Sequence, residues 1–226
     1  MENLQSSLNF DYVWSFGEGL VAVKLNGKWG FIDKSGKIVI ESKFDSGGHF
    51  SEGLAGVGLN GKWGFIDKKW GFIDKNGEFV IEPKFDDTRS FWEGLAGVKL
   101  NGKWGFIDKS GKIVIKPKFN AVWGFSEGLA AVELNGKWGF IDKNGEFVIE
   151  PKFDGVGNFS EGLASVGLNG KIGLIDKSGK FVIKPKFDSI WSFREGLVKV
   201  GLNGKYGLID KSGKIVIEPK FDDIGY

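Results

Sequence analysis

One short segment recurs in step along this chain and limits what it can fold into. K-W-G-F-I-D-K begins at Lys28, Lys62, Lys69, Lys103 and Lys137, with degenerate copies at Lys171 (KIGLIDK) and Lys205 (KYGLIDK). A second marker, a phenylalanine at the step between units, falls at 10, 44, 85, 119, 153, 187 and 221, so the intervals are 34, 41, 34, 34, 34 and 34. A fixed period of this size marks a tandem repeat architecture. A unit of this length cannot bury enough surface to offset its own ordering entropy, so neighbouring units must share a core. The expected organisation is a polar leader at 1–9 and a single repeat domain at 10–220. That domain divides into six units at 10–43, 44–84, 85–118, 119–152, 153–186 and 187–220, and 221–226 opens a seventh.

The long interval has a visible origin. Lys62–Lys68 and Lys69–Lys75 are the same seven residues twice over. Seven is odd and a strand alternates with period two, so both copies cannot continue one strand with the same facing. One copy is expected to pair and the other to bulge out or lengthen a hairpin tip; the repeated letters do not say which.

Residues 119–152 serve as the type unit. Leu129–Leu134 (LAAVEL) and Trp138–Asp142 (WGFID) flank Asn135-Gly136, the strongest short hairpin signal, because a type I′ turn needs positive φ at both central residues. Lys143-Asn144-Gly145 supplies a second turn, and Phe147–Glu150 (FVIE) a third strand expected to end at Pro151. Phe153–Phe159 offers a shorter fourth strand before the turn at Glu161-Gly162. No segment carries a helical period, so the fold class is all-β, built of three- to four-stranded antiparallel meanders. Trp138 and Phe140 alternate with Ile141, and Phe147 and Ile149 with Val148, so both faces of each sheet are apolar and both need cover. Sheets stacked around an axis meet that need, most simply as a six-bladed β-propeller-like ring; the alternative is an open β-solenoid or superhelix. One column of the first strand reads Ala22, Gly56, Gly97, Ala131, Ser165 and Lys199. Five small residues there fit crowded backbones, as at the innermost strand of a ring. The Gly after each aromatic (Gly30, Gly64, Gly105, Gly139) is expected to admit a ring from a neighbouring sheet.

The pattern K-W-G-F-I-D-x-x-G-x-x-V-I-x-P-x-[FY]-D resembles the WG-repeat (KWG-repeat) proteins of bacteria. The resemblance runs from Phe10 to the end, with Ile172 and Tyr206 departing at the aromatic and Ser42 replacing the proline. It implies a tandem β-repeat interaction module and supplies no catalytic residue to carry over. Arrays in that family vary in repeat number, which keeps the open superhelix alive.

Composition narrows the chemistry. With no Cys and a single His there is no thiolate metal site, disulfide frame or multi-histidine centre. Net charge is +2 and only Arg89 and Arg194 are arginines, which removes the basic footprint and bidentate grip that nucleic acid requires. Met1–Asn9 is polar and no run of about 18 apolar residues exists, so neither signal peptide nor membrane span is expected and the default compartment is the cytoplasm. The recurrent carboxylates (Asp33, Asp67, Asp108, Asp142, Asp176, Asp210; Glu18, Glu52, Glu93, Glu127, Glu161, Glu195) invite a paired-acid reading. An active site rarely needs six copies of its acid, so they are expected to be scaffold, each Asp accepting N–H bonds at the turn after it. No enzyme activity, cofactor or metal is expected.

Positions that differ between units are the better recognition candidates. Counting the step Phe as one, the fifth position reads Trp14, Gly48, Arg89, Trp123, Gly157 and Trp191; the sixth includes His49; the eighth includes Trp92 and Arg194. Trp and Arg dominate binding hot spots, so Trp14, His49, Arg89, Trp92, Trp123, Trp191 and Arg194 form the expected variable rim. A competing reading has these tryptophans merely capping the core. The expected function is a scaffold for a protein partner; the alternative is a lectin-like module whose rim Trp residues stack on glycans. Small-angle scattering tests the ring. A closed ring of 226 residues should give a radius of gyration of about 17 Å, and a clearly elongated profile would reject it.

Overall fold

The computed structural model describes residues 9–59, 68–191 and 193–225. The chain divides into two compact units, residues 1–118 and 119–226. The first holds three antiparallel sheets, each of four strands in sequence order: β1–β4 (Tyr12–Gly17, Leu20–Leu25, Lys28–Asp33, Ile38–Phe44), β5–β8 (Ser46–Ser51, Leu54–Leu59, Lys69–Ile73, Phe79–Phe85) and β9–β12 (Asp87–Trp92, Leu95–Leu100, Lys103–Asp108, Ile113–Phe119). The second holds β13–β16 (Ala121–Ser126, Leu129–Leu134, Lys137–Ile141, Phe147–Phe153), β17–β20 (Gly155–Val156, Leu163–Leu168, Lys171–Asp176, Phe181–Phe187) and β21–β24 (Ser189–Ile190, Leu197–Leu202, Lys205–Asp210, Ile215–Phe221). The fold is all-β.

The turns follow their chemistry. Asn135 and Gly136 have φ of 53° and 77°, as a type I′ hairpin requires. The Asp at the end of the third strand organises the next turn. Asp142 Oδ1 accepts from the backbone N–H of Asn144 and of Glu146, both at 2.9 Å, and the Gly145 N–H donates to its carbonyl at 3.0 Å.

Each core belongs to two sheets. In the first unit Phe31 of β3 meets Phe50 of β5 edge-on at 5.0 Å, and Phe72 of β7 meets Phe91 of β9 at 4.9 Å. In the second, Phe140 of β15 meets Phe159 at 4.8 Å. On β7, Phe72 packs with the third sheet while its neighbour Ile73 packs with the first, so both faces of that strand are covered, as the alternation implied. The fourth strand behaves differently. Its middle valine points to solvent, Val148 being 45 % exposed and Val80 48 %.

Three further expectations need correction. The strand FVIE does not end at its proline: β16 runs on through Pro151 to Phe153. It is an edge strand in the order β13-β14-β15-β16, where a missing N–H leaves no ladder bond unmade. The small-residue column lies on the second strand, not on a sheet edge, because the connecting segment forms the first strand. Its residues are small where the next sheet's first strand crosses: a Cβ on Gly56 would lie 2.9 Å from Thr88 Oγ1. The Gly after the aromatic, finally, makes room for its own sheet and not for a neighbour's ring. A Cβ on Gly139 would sit 2.4 Å from the carbonyl oxygen of Ile149 and 2.7 Å from Pro151 N. The fourth strand bulges over that point, since Trp138 pairs with Phe153 but Phe140 with Ile149.

Polar clamps repeat between sheets. Glu127 sits at φ 52°, a left-handed conformation that costs a residue with a Cβ roughly 1 kcal/mol. Its carboxylate accepts from the Gly162 N–H of the next sheet at 3.0 Å and pairs with Lys177 at 3.1 Å. Glu18 does the same with Gly53 and Lys75, and Glu52 with Gly94 and Lys109. A second clamp joins Lys137 to Asp154 at 2.6 Å, with Lys28–Asp45 and Lys171–Asp188 as counterparts.

The duplication resolves in favour of its second copy. Leu59 pairs with Lys69 as Leu25 does with Lys28, and Lys69–Ile73 forms the third strand. Nearly all of the first copy lies outside the described residues. Only the second copy is followed by the intact D-K-N-G-E turn at Asp74, whose Oδ1 accepts from Asn76 and Glu78; Asp67 is followed by Lys-Lys-Trp-Gly. Removing seven residues (62–68) would rejoin Leu59-Asn60-Gly61 to Lys69 and restore the two-residue turn. Shortening the connection from nine residues to two should stabilise the protein by about 1 kcal/mol. Equilibrium denaturation checks this, and a loss of folding would show that the strand assignment is wrong.

Candidate functional site

The first strands of the first four sheets carry the variable fifth and sixth positions, and their pairing explains why they vary. Val13 pairs with Val23 and Phe16 with Val21, three steps on β1 against two on β2. The same irregularity recurs at Gly47/Phe50, Thr88/Phe91 and Val122/Phe125. Each is a β-bulge containing the fifth and sixth positions, and a bulge re-aims side chains away from the ladder. In the last two sheets the short strands β17 and β21 stop where the bulge would begin.

A large residue at the fifth position lies over the WG-position aromatic of its own sheet. Trp14 meets Trp29 edge-on at 5.7 Å, Trp123 stacks on Trp138 at 6.1 Å with 15° between planes, and Trp191 meets Tyr206 at 5.5 Å. Arg89 places its guanidinium 5.0 Å from the centre of the Trp104 ring. These contacts agree with the capping reading, yet the outer residues stay open: Trp14 is 51 % exposed, Trp123 and Trp191 44 % each. The result is a recurrent aromatic platform bearing a changeable, half-exposed side chain.

The remaining candidates divide. His49 lies in the bulge of the second sheet, its Nε2 3.4 Å from Ser90 Oγ in the bulge of the third, so sixth positions of these adjacent sheets come together. Trp92 and Arg194 do not join that row. They stand at the strand end beside the Glu-Gly turn, where Trp92 pairs with Leu95 and Arg194 with Leu197, both exposed. At the same position Ser51 and Ser126 donate to the carbonyls of Phe91 and Phe159 in the following sheet.

Lys199 is a site residue that the rim reasoning missed. It is the single long side chain in the small-residue column, a signal present in the letters. Its ammonium lies 4.6 Å from the Tyr206 ring centre and 5.2 Å from that of Trp191, and bonds Asp223 at 2.7 Å and the Ile224 carbonyl at 3.0 Å. That ammonium holds the Asp223 carboxyl below its ordinary range.

Among the described residues, no three His, Asp or Glu side chains converge to hold a metal. Among the described residues no helix is long and apolar enough to cross a membrane.

The crystal structure of the eukaryotic initiation factor aligns with TM-score 0.66 at 15 % identity, covering 94 % of this chain and 66 % of that one, so the chain spans just under two thirds of its length. Kluyveromyces lactis Hsv2 aligns at 0.53 and 12 %, covering 88 % and 73 %. The same protein with loop 6CD replaced by a Gly-Ser linker gives 0.55 and 10 %, covering 88 % and 76 %. No curated protein matches the sequence. Tandem four-stranded sheets with these neighbours define a propeller-like, all-β repeat protein. The WG containing repeat pattern matches residues 6–29, 29–63, 70–104, 104–138, 138–171, 172–206 and 206–226, and the chain belongs to the WG-containing repeat family. The break at 64–69 falls inside the duplication.

The turn aspartates Asp33, Asp74, Asp108, Asp142, Asp176 and Asp210, with Glu18 and Glu161, are held below their ordinary values. For Asp33 the first cause is the Ser35 hydroxyl, for Asp142 the Glu146 N–H, for Glu18 the Lys75 ammonium and for Glu161 that of Lys211. A general acid at neutral pH needs the opposite shift. Because their pKa values are depressed in the folded state, these groups stabilise it fully above the ordinary 3.8 of Asp and 4.5 of Glu, and lose that effect as pH falls through the lowered values. The melting temperature should therefore be flat from neutral pH down to about 5 and fall steeply below about 4. A flat profile down to pH 3 would show that the turns and clamps do not depend on ionised carboxylates.

Proposed function

We propose that this protein is a non-catalytic interaction scaffold that binds a protein partner through the bulge residues of its first strands. The supporting observation is the bulge itself. It sets Trp14, Arg89 and Trp123 half-exposed over a recurrent aromatic while the ladder beside them stays constant, and Trp191, just past the end of β21, takes the same place over Tyr206. An aromatic held on an aromatic loses little rotamer freedom on binding, which favours affinity per residue. WG-family membership supports the scaffold reading and names no partner.

The test is affinity capture with the wild type and with Trp14→Ala, Trp123→Ala and Trp191→Ala combined. Each ring is half-exposed, so the triple variant should fold with little change in melting temperature and lose partner retention at least tenfold. Retention that survives the triple substitution would sink this reading. Loss of glycan binding in the variant, with no protein retained by the wild type, would move the assignment to a carbohydrate-binding module.

A further inference from the structure

The fifth and sixth sheets, both in the second unit, do not close on each other as the fourth and fifth do. Between the fourth and fifth, Phe140 and Phe159 meet at 4.8 Å, and Ser126 Oγ donates to the Phe159 carbonyl at 2.8 Å. One sheet further on, Leu174 stands in place of Phe140 and its partner Phe193 is only half-buried. Ser160, in the place of Ser126, makes no hydroxyl hydrogen bond among the described residues. Gly157 stands where the fourth sheet has Trp123, and Ser165 where it has Ala131. These losses open a cleft of about 380 Å³ lined by Gly157, Asn158, Ser160, Ser165, Leu174 and Trp191, among others.

The lining chemistry restricts the occupant. Every residue of the wall is neutral, so an ionic ligand would lose hydration without gaining a counter-charge. Lys199, the cation against Trp191, is already paired with Asp223. The side chains of Asn158, Ser160 and Ser165 carry no hydrogen bond among the described residues, so a wholly apolar occupant would desolvate three polar groups without replacing their bonds. Leu174 supplies an apolar floor and Trp191 a flat, half-exposed ring. The volume lies at the lower end of ligand pockets.

We propose that this cleft binds a neutral pyranose ring, its C–H face against Trp191 and its hydroxyls shared among Asn158, Ser160 and Ser165. The site goes beyond the scaffold reading and does not depend on it.

The test titrates the protein with methyl β-D-glucopyranoside, methyl β-D-galactopyranoside and methyl N-acetyl-β-D-glucosaminide, followed by saturation-transfer NMR. At least one should bind with Kd on the order of 1–10 mM, the range available to a ligand of this size. A Cβ on Gly157 would meet Ser165 Oγ at 2.6 Å, so the cleft is filled by Gly157→Trp together with Ser165→Ala, the pairing that Trp14/Ala22 and Trp123/Ala131 already accommodate. That variant should keep or raise the melting temperature and weaken the glycoside at least tenfold. Asn158→Ala with Ser160→Ala, which adds no bulk, should weaken it severalfold and serves if the first variant does not fold. Three results would overturn the proposal: no glycoside bound at up to about 50 mM, binding unchanged in a folded variant, or uptake of benzyl alcohol alone. Trp191 stays intact in both variants, so such failures leave the rim reading untouched; because Trp191 also lines the cleft, the rim is tested apart from it with Trp14→Ala and Trp123→Ala alone, whose loss of partner binding leaves the cleft untouched.

Discussion

Within each unit, sheets complete their cores with a ring from the sheet that follows. Phe50 covers Phe31, Phe91 covers Phe72 and Phe159 covers Phe140, and without these rings the inner faces of β3, β7 and β15 would be wet. An edge-on aromatic pair contributes about 0.5–1.5 kcal/mol beyond the area it buries. The larger effect is topological. A sheet of this kind is incomplete without its neighbour, so stability within each unit depends on nearest-neighbour contacts. The small column is a condition for that close approach.

The polar clamps sit around this apolar contact and depend on it. Exposed lysine–carboxylate pairs contribute little individually, and the Glu in each turn holds a backbone conformation that glycine would adopt without strain. Glycine, however, has no carboxylate to reach the next sheet's N–H and lysine. The residue is therefore explained by the interface and not by its own turn. It is a local inconsistency that makes sense only when two units are considered together.

Much of the fold was legible because the repeat compares the chain with itself. Period, hairpins, the Asp turns and the all-β class followed from fixed phase and turn chemistry. The misreadings share one cause. Pro151, Gly139 and the small column were judged by strand type alone, whereas their surroundings depend on which strand lies at an edge and where it bulges. Edge order is a tertiary property, and it is not encoded in the letters of one unit. The rim positions were found from variation. Their bulge was not, because a bulge that admits Gly, Arg or Trp equally leaves no residue signature. Lys199 was visible as an exception in its column, but its role required the distant Asp223.

The bulge has a consequence for how such a surface changes. A side chain outside the hydrogen-bond ladder is nearly silent to folding, so replacing it alters what the protein touches while leaving how it folds unchanged. Most surfaces that diversify for recognition draw down a narrow margin of stability as they do so. Here that coupling is cut at one place in each of several sheets. Drift at those positions rewrites the surface one sheet at a time and spares the fold.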